Sequence, residues 1–109
     1  MENKVINALL ELGVPANIKG FGYITDALCI LDTDRQIRIC DLYQKIADKN
    51  GSTSSRVERA IRHAFSSMFK NDDKKDAVKK YFDTSNHSNG NLLVTFYIRL
   101  KQETNEGWR

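Results

Sequence analysis

The chain has 109 residues, 40% hydrophobic and 28% charged, with one proline and six glycines. These residues suffice for one core of ordinary size, which excludes several domains, and their composition excludes a disordered or low-complexity chain. The net charge of +3 is unevenly spread: residues 35–80 hold 12 Lys/Arg against 6 Asp/Glu, a net of +6, and the remainder sums to −3. A basic middle is the electrostatic footprint of a phosphate-binding face, with a merely solvated basic surface as the alternative.

At the start, Met1-Glu2-Asn3-Lys4 leads into an amphipathic pattern and not into an unbroken apolar run. The expectation is no signal peptide, no membrane span and a cytoplasmic protein. Val5, Ile6, Leu9, Leu10 and Leu12 predict a helix over about residues 2–12, closed by a left-handed Gly13 with Pro15 preventing resumption. Phe21, Ile24, Ala27, Leu28 and Leu31 predict a second helix after Lys19-Gly20, and Asp32-Thr33-Asp34 reads as a polar turn. Gln36 to Ile39 fits either a short strand or a helical start. Cys29 and Cys40 have no CxxC pairing and no histidine at ligand spacing, so they read as small hydrophobes of a reduced interior. No metal and no other cofactor is expected.

Leu42, Tyr43, Ile46 and Ala47 predict a third helix, and Lys49-Asn50-Gly51-Ser52 reads as a turn. A fourth helix follows, with Val57, Ala60, Ile61, Ala64, Phe65, Met68 and Phe69 on one face. Arg56, Glu58, Arg59, Arg62 and His63 fall on the other, behind a Ser52-Thr53-Ser54-Ser55 cluster able to cap the helix and donate hydroxyls. A short helix, a glycine-containing turn and a longer helix with polar N-terminal residues form a helix-turn-helix, placed at about residues 40–69. The second helix of such a motif enters the DNA major groove.

After Asn71-Asp72-Asp73, a stop followed by a new cap, Ala77, Val78, Tyr81 and Phe82 form a short apolar stripe among lysines. Ser85 to Asn91 reads as a loop. Leu92 to Leu100 has the β-branched and aromatic content of a strand, but a lone strand would lack a partner, so a helix is expected. The fold class is therefore all-α. No nucleophile, metal set or phosphate-cradling glycine loop is apparent, and the chain is not expected to be an enzyme.

Two blocks carry a family resemblance. Glu11-Leu12-Gly13-Val14-Pro15-Ala16-Asn17-Ile18-Lys19-Gly20-Phe21 resembles EIGVPAHIKGY, and residues 54–64 are nearly identical to ASRVERAIRHA. Both are signatures of the C-terminal effector domain family of stage 0 sporulation protein A, the response regulators that start endospore formation in Firmicutes. The likeness is clear from residue 5 to about 69 and weaker over Asn89 to Leu100. It implies one domain over residues 1–109 with about six helices, related to the winged-helix superfamily but with no wing expected. It also implies a sequence-specific transcriptional regulator that binds double-stranded DNA elements with a TGTCGAA-like core, as a homodimer or in tandem copies.

Carried onto this sequence, the resemblance gives Arg56, Glu58 and Arg59 as base contacts. Arginine pairs bidentately with guanine, and a carboxylate accepts from cytosine N4. Thr53, Ser54, Ser55, Arg62, His63 and Lys19 are expected at the DNA backbone, where contacts position without specifying sequence. Two alternatives stay open: Glu58 and Arg62 are spaced for a surface ion pair, and His63 could pack against a neighbouring helix. The family's receiver domain is not found in these residues, which fits an isolated domain or a stand-alone paralogue governed by abundance or a partner. The segment Asn71 to Tyr81, where the family faces the sigma subunit of RNA polymerase, diverges most. A second function class is thus a protein-interaction module acting on the full-length regulator or on polymerase through the aromatic residues Phe96, Tyr97 and Trp108.

Overall fold

A computed structural model describes residues 1–106, with side chains as far as Glu103. Among the described residues there are six α-helices and no strand. They are α1 (Glu2–Glu11), α2 (Lys19–Thr33), α3 (Ile39–Asn50), α4 (Ser54–Lys70), α5 (Lys75–Tyr81) and α6 (Asn89–Glu106). A single 3-10 turn, Asp72–Lys74, joins α4 to α5. Trp108 lies outside the described residues.

The helix stops follow from local chemistry. Gly13 takes φ +79° after Leu12, and the Val14 amide donates to the Leu9 carbonyl at 3.0 Å, the closure in which a left-handed residue lets the last carbonyls be satisfied. Leu12 is consequently the residue that ends α1 and not a member of it. Gly51 does the same for α3 at φ +61°, with the Ser52 amide donating to Ala47 at 2.9 Å. At the start of α4 the Thr53 hydroxyl accepts from the Arg56 amide at 3.2 Å, as the Ser/Thr cluster predicts.

The interior is one continuous apolar cluster with contributions from all six helices. α2 is its spine: Phe21, Tyr23, Ile24, Ala27, Leu28 and Leu31 are buried, and the helix packs against α1, α3, α4 and α6. At the far end, Phe82 meets Phe65 and Phe96 with ring centroids 5.7 and 5.1 Å apart, and Tyr81 meets Phe96 at 5.5 Å. These tilted and edge-on ring contacts tie the end of α4 to α5 and α6.

Several expectations are corrected. Asp32 and Thr33 belong to α2 and not to a turn, because Asp32 has partners on α6: the Tyr97 hydroxyl donates to it at 2.8 Å and Lys101 lies at 3.4 Å. Gln36 to Arg38 is neither strand nor helix, and α3 begins at Ile39. Asn50 is the last residue of α3, while Asn89 to Asn91 open α6 and leave the expected loop. Leu10 is 52% exposed, since Leu9 and Leu12 take the core-facing side of that turn. Cys40 is exposed on the second residue of α3 and Cys29 is only half-buried, so neither is an interior hydrophobe in full. The apolar run 92–100 is helical as expected: Leu92, Leu93, Phe96, Tyr97 and Leu100 are buried at helical spacing.

One contact sets the separation of α2 from α4. A Cβ at Gly20 would stand 2.5 Å from the Ala60 carbonyl oxygen and 2.8 Å from the Ala64 Cβ. Gly20→Ala should lower unfolding free energy by about 1–3 kcal/mol through overpacking, exceeding the roughly 0.5–1 kcal/mol that alanine gains inside a helix. A urea midpoint equal to or above that of the parent would show that the two helices separate without cost. Thr53→Ala should cost about 1 kcal/mol in the same experiment by removing the α4 cap, and Thr53→Ser should restore it.

Candidate nucleic-acid interface

α3, the three-residue turn Gly51-Ser52-Thr53 and α4 form the helix-turn-helix that the sequence predicts. α3 is pinned to α2 by Lys49, whose ammonium lies 2.8 Å from the Asp26 carboxylate, and by the Asn50 amide, which donates to the same carboxylate at 3.1 Å. Across the turn, the Ser54 hydroxyl donates to the Gln44 side-chain oxygen at 2.8 Å. The two helices of the motif are thus clasped at the turn as well as packed through Leu42, Ile46, Val57 and Ile61.

α4 divides cleanly. Val57, Ile61, Ala64, Phe65 and Met68 are buried; Ser55, Arg56, Arg59, Arg62 and His63 are exposed. Ala60 sits half-buried between the two faces, and with Arg56, Arg59 and His63 it lines a shallow hollow on the outer side. His63 therefore belongs to this outer surface and does not lock a neighbouring helix. The first turn of α4 carries no acidic residue, so the positive end of the helix dipole is left uncompensated beside two arginines. Such an N-terminus accommodates anionic oxygens.

Glu58 is placed differently from its neighbours. Its carboxylate is half-buried and lies 3.3 Å from the Arg62 guanidinium, one turn further on. Tyr43 of α3 stands beside this pair; burial pushes its hydroxyl pKa up, the Asn89 side chain draws it down, and the Glu58 charge raises it. Ser54 is half-buried with its proton engaged on Gln44, whereas Ser55 next to it is exposed. Thr53 keeps a hydroxyl proton to donate while its oxygen caps the helix. Lys19 opens α2 and is exposed; it lines a hollow with Tyr23 of its own helix and Asn50 at the end of α3, with no residue of α4. Eight of the nine residues singled out in the sequence therefore lie on α4 or at its cap, and Lys19 lies apart from them on α2.

Three residues of this region carry no sequence signal of a part in the site. Gln44 holds Ser54, Tyr43 approaches the Glu58–Arg62 pair, and Asn89 at the start of α6 donates its amide to the Glu58 main-chain carbonyl at 3.0 Å. A side chain that bonds a distant backbone atom leaves no periodic trace. The aromatic residues Phe96 and Tyr97 are buried in the core, so they offer no exposed surface for a protein partner. Among the described residues no group of His, Cys, Asp or Glu is arranged to hold a metal ion, and no helix is long and apolar enough to cross a membrane.

The family model described as Sporulation initiation factor Spo0A C terminal matches residues 5–99, which takes in every helix from α1 into α6. With a helix-turn-helix at the centre of that span and a cationic outer face on its second helix, the chain belongs to this family of DNA-binding sporulation regulator domains.

Proposed function

We propose that the domain is a sequence-specific transcriptional regulator that sets α4 into the DNA major groove and reads a TGTCGAA-like element. The observation that carries this reading is the division of α4. One side is sealed into the core, and the other offers Arg56, Arg59 and His63 around a hollow floored by the small side chain of Ala60. A small residue between long cationic ones lets the helix axis approach the base edges closely while the arginines reach them.

In this reading Arg56 and Arg59 each take a guanine through O6 and N7, and Glu58 accepts from a cytosine N4 while keeping Arg62 as its partner. Arg62, His63, Ser55, Thr53 and Lys19 meet phosphates on either side of the groove. Ser54 reaches a phosphate only by giving up Gln44, which makes it the weakest of these contacts. Binding by tandem copies, and contact of the lysine-rich α5 with a polymerase subunit, would build on this DNA complex.

A fluorescence titration should give tight binding to a TGTCGAA duplex and much weaker binding to a scrambled one, with affinity falling steeply as salt rises. Equal affinity for the two duplexes would sink the specific-readout reading. Arg59→Ala should weaken the specific complex by about 1–3 kcal/mol and relax the sequence preference. A uniform loss on every sequence would show that Arg59 touches only phosphate.

A further inference from the structure

The start of α6 is attached to α4 by groups that no helix-turn-helix requires. The Asn89 amide donates to the Glu58 carbonyl at 3.0 Å, a part-buried bond between residues 31 apart in sequence. A mid-helix carbonyl has a second lone pair beyond the one its own helix uses, and Asn89 occupies it. Two residues earlier, the His87 ring stacks on Phe69 with centroids 4.0 Å apart and planes 9° from parallel. The same segment therefore grips α4 at Glu58 and again at Phe69, roughly three turns apart at 3.6 residues per turn. A rod held at one point can rock; held at two, its tilt is fixed.

The segment making these attachments is itself stiffened. The Asn91 side-chain amide donates to the Asn86 carbonyl at 2.8 Å, the Ser88 backbone N–H donates to the Asn86 side-chain oxygen at 3.1 Å, and the Asn86 backbone N–H donates to the Thr84 hydroxyl at 3.2 Å. Gly90 lies over the Ile39 side chain, close enough that a Cβ would meet its Cδ1 at 3.8 Å, so α6 also touches the first residue of α3. The point gripped on α4 is the one that matters for base reading. Glu58 lies between Arg56 and Arg59, and its carboxylate already holds Arg62.

We propose that Asn89 is a positioning residue for DNA reading: from the first residue of α6 it latches the Glu58 backbone and so sets the angle at which α4 presents Arg56, Glu58 and Arg59. This rests on the DNA-reading role of α4 proposed above. It adds that the angle is governed from outside the helix-turn-helix.

Asn89→Asp separates positioning from folding. The side chain keeps its shape, and an acidic residue in a first helical turn favours the helix dipole, which offsets part of the stability lost with the bond. The carboxylate, however, cannot donate to the Glu58 carbonyl. The ratio of affinities for the TGTCGAA and scrambled duplexes should fall about threefold to tenfold, the range that one net hydrogen bond commands, while the protein stays folded with a melting temperature lowered by only a few degrees. Asn89→Ala, which adds no charge, should lower the ratio similarly and leave the salt dependence of binding at its parental slope. A parental ratio in both folded variants would overturn the assignment with the DNA reading intact. Loss of fold in both would make Asn89 a fold determinant and overturn it equally. A parent that fails to discriminate the two duplexes would bring down the DNA reading itself.

Discussion

Gly20 determines how closely α2 and α4 lie, and the rest of the domain is arranged around that approach. With no side chain at residue 20, the α2 backbone rests on the Ala60 carbonyl and the Ala64 methyl; any Cβ there would stand inside contact distance. α2 in turn packs against α1, α3 and α6, so its position is set by most of the core. The consequence passes outward: Ala60 is at once the floor of the outer hollow and the point on which α2 bears. Packing density at this one crossing therefore places the exposed arginines, in an interior where displacements of a methyl group are felt.

The charges on α4 do not contribute much to its stability. Arg56, Arg59 and Arg62 are exposed, and the Glu58–Arg62 ion pair joins a half-buried carboxylate to a largely exposed guanidinium. A pair of that kind contributes about 0–1 kcal/mol and less as salt rises. What holds the helix is its apolar face, from Val57 to Met68, together with the Thr53 cap and the aromatic contacts of Phe65 with Phe82. The Glu58–Arg62 pair acts instead on geometry: it draws the Arg62 guanidinium back toward Glu58 and away from the side where Arg56, Arg59 and His63 gather.

Local signals made much of this legible in the sequence. Apolar spacing located α1 to α4, Gly13 and Gly51 marked stops that the backbone adopts, and the Ser/Thr cluster contained the cap at Thr53. The run 92–100 shows how spacing and tertiary context override propensity: despite its β-branched and aromatic content it forms a helix, because Leu92, Leu93, Phe96, Tyr97 and Leu100 face one core. The misreadings share a different cause. Asp32 looked like a turn residue because its partners, Tyr97 and Lys101, are 65 and 69 residues away. Asn89 looked like loop because its bond goes to a backbone oxygen 31 residues earlier. Leu10 and Cys40 looked like core because composition does not say which side of a helical turn meets the next helix.

Residues that pack and residues that face solvent alternate along one helix, which separates two kinds of change. Substitution at Arg56, Arg59 or His63 alters the exposed outer face of α4, so that face can vary while the core does not. Substitution at Ala60 cannot be so confined, because α2 rests on its carbonyl. Glu58 is an intermediate case: its carboxylate belongs to the polar surface, but its carbonyl is held by α6. The side chain at residue 58 can thus change the chemistry of the outer face, whereas the bond from Asn89 goes to a backbone atom that every amino acid there would supply.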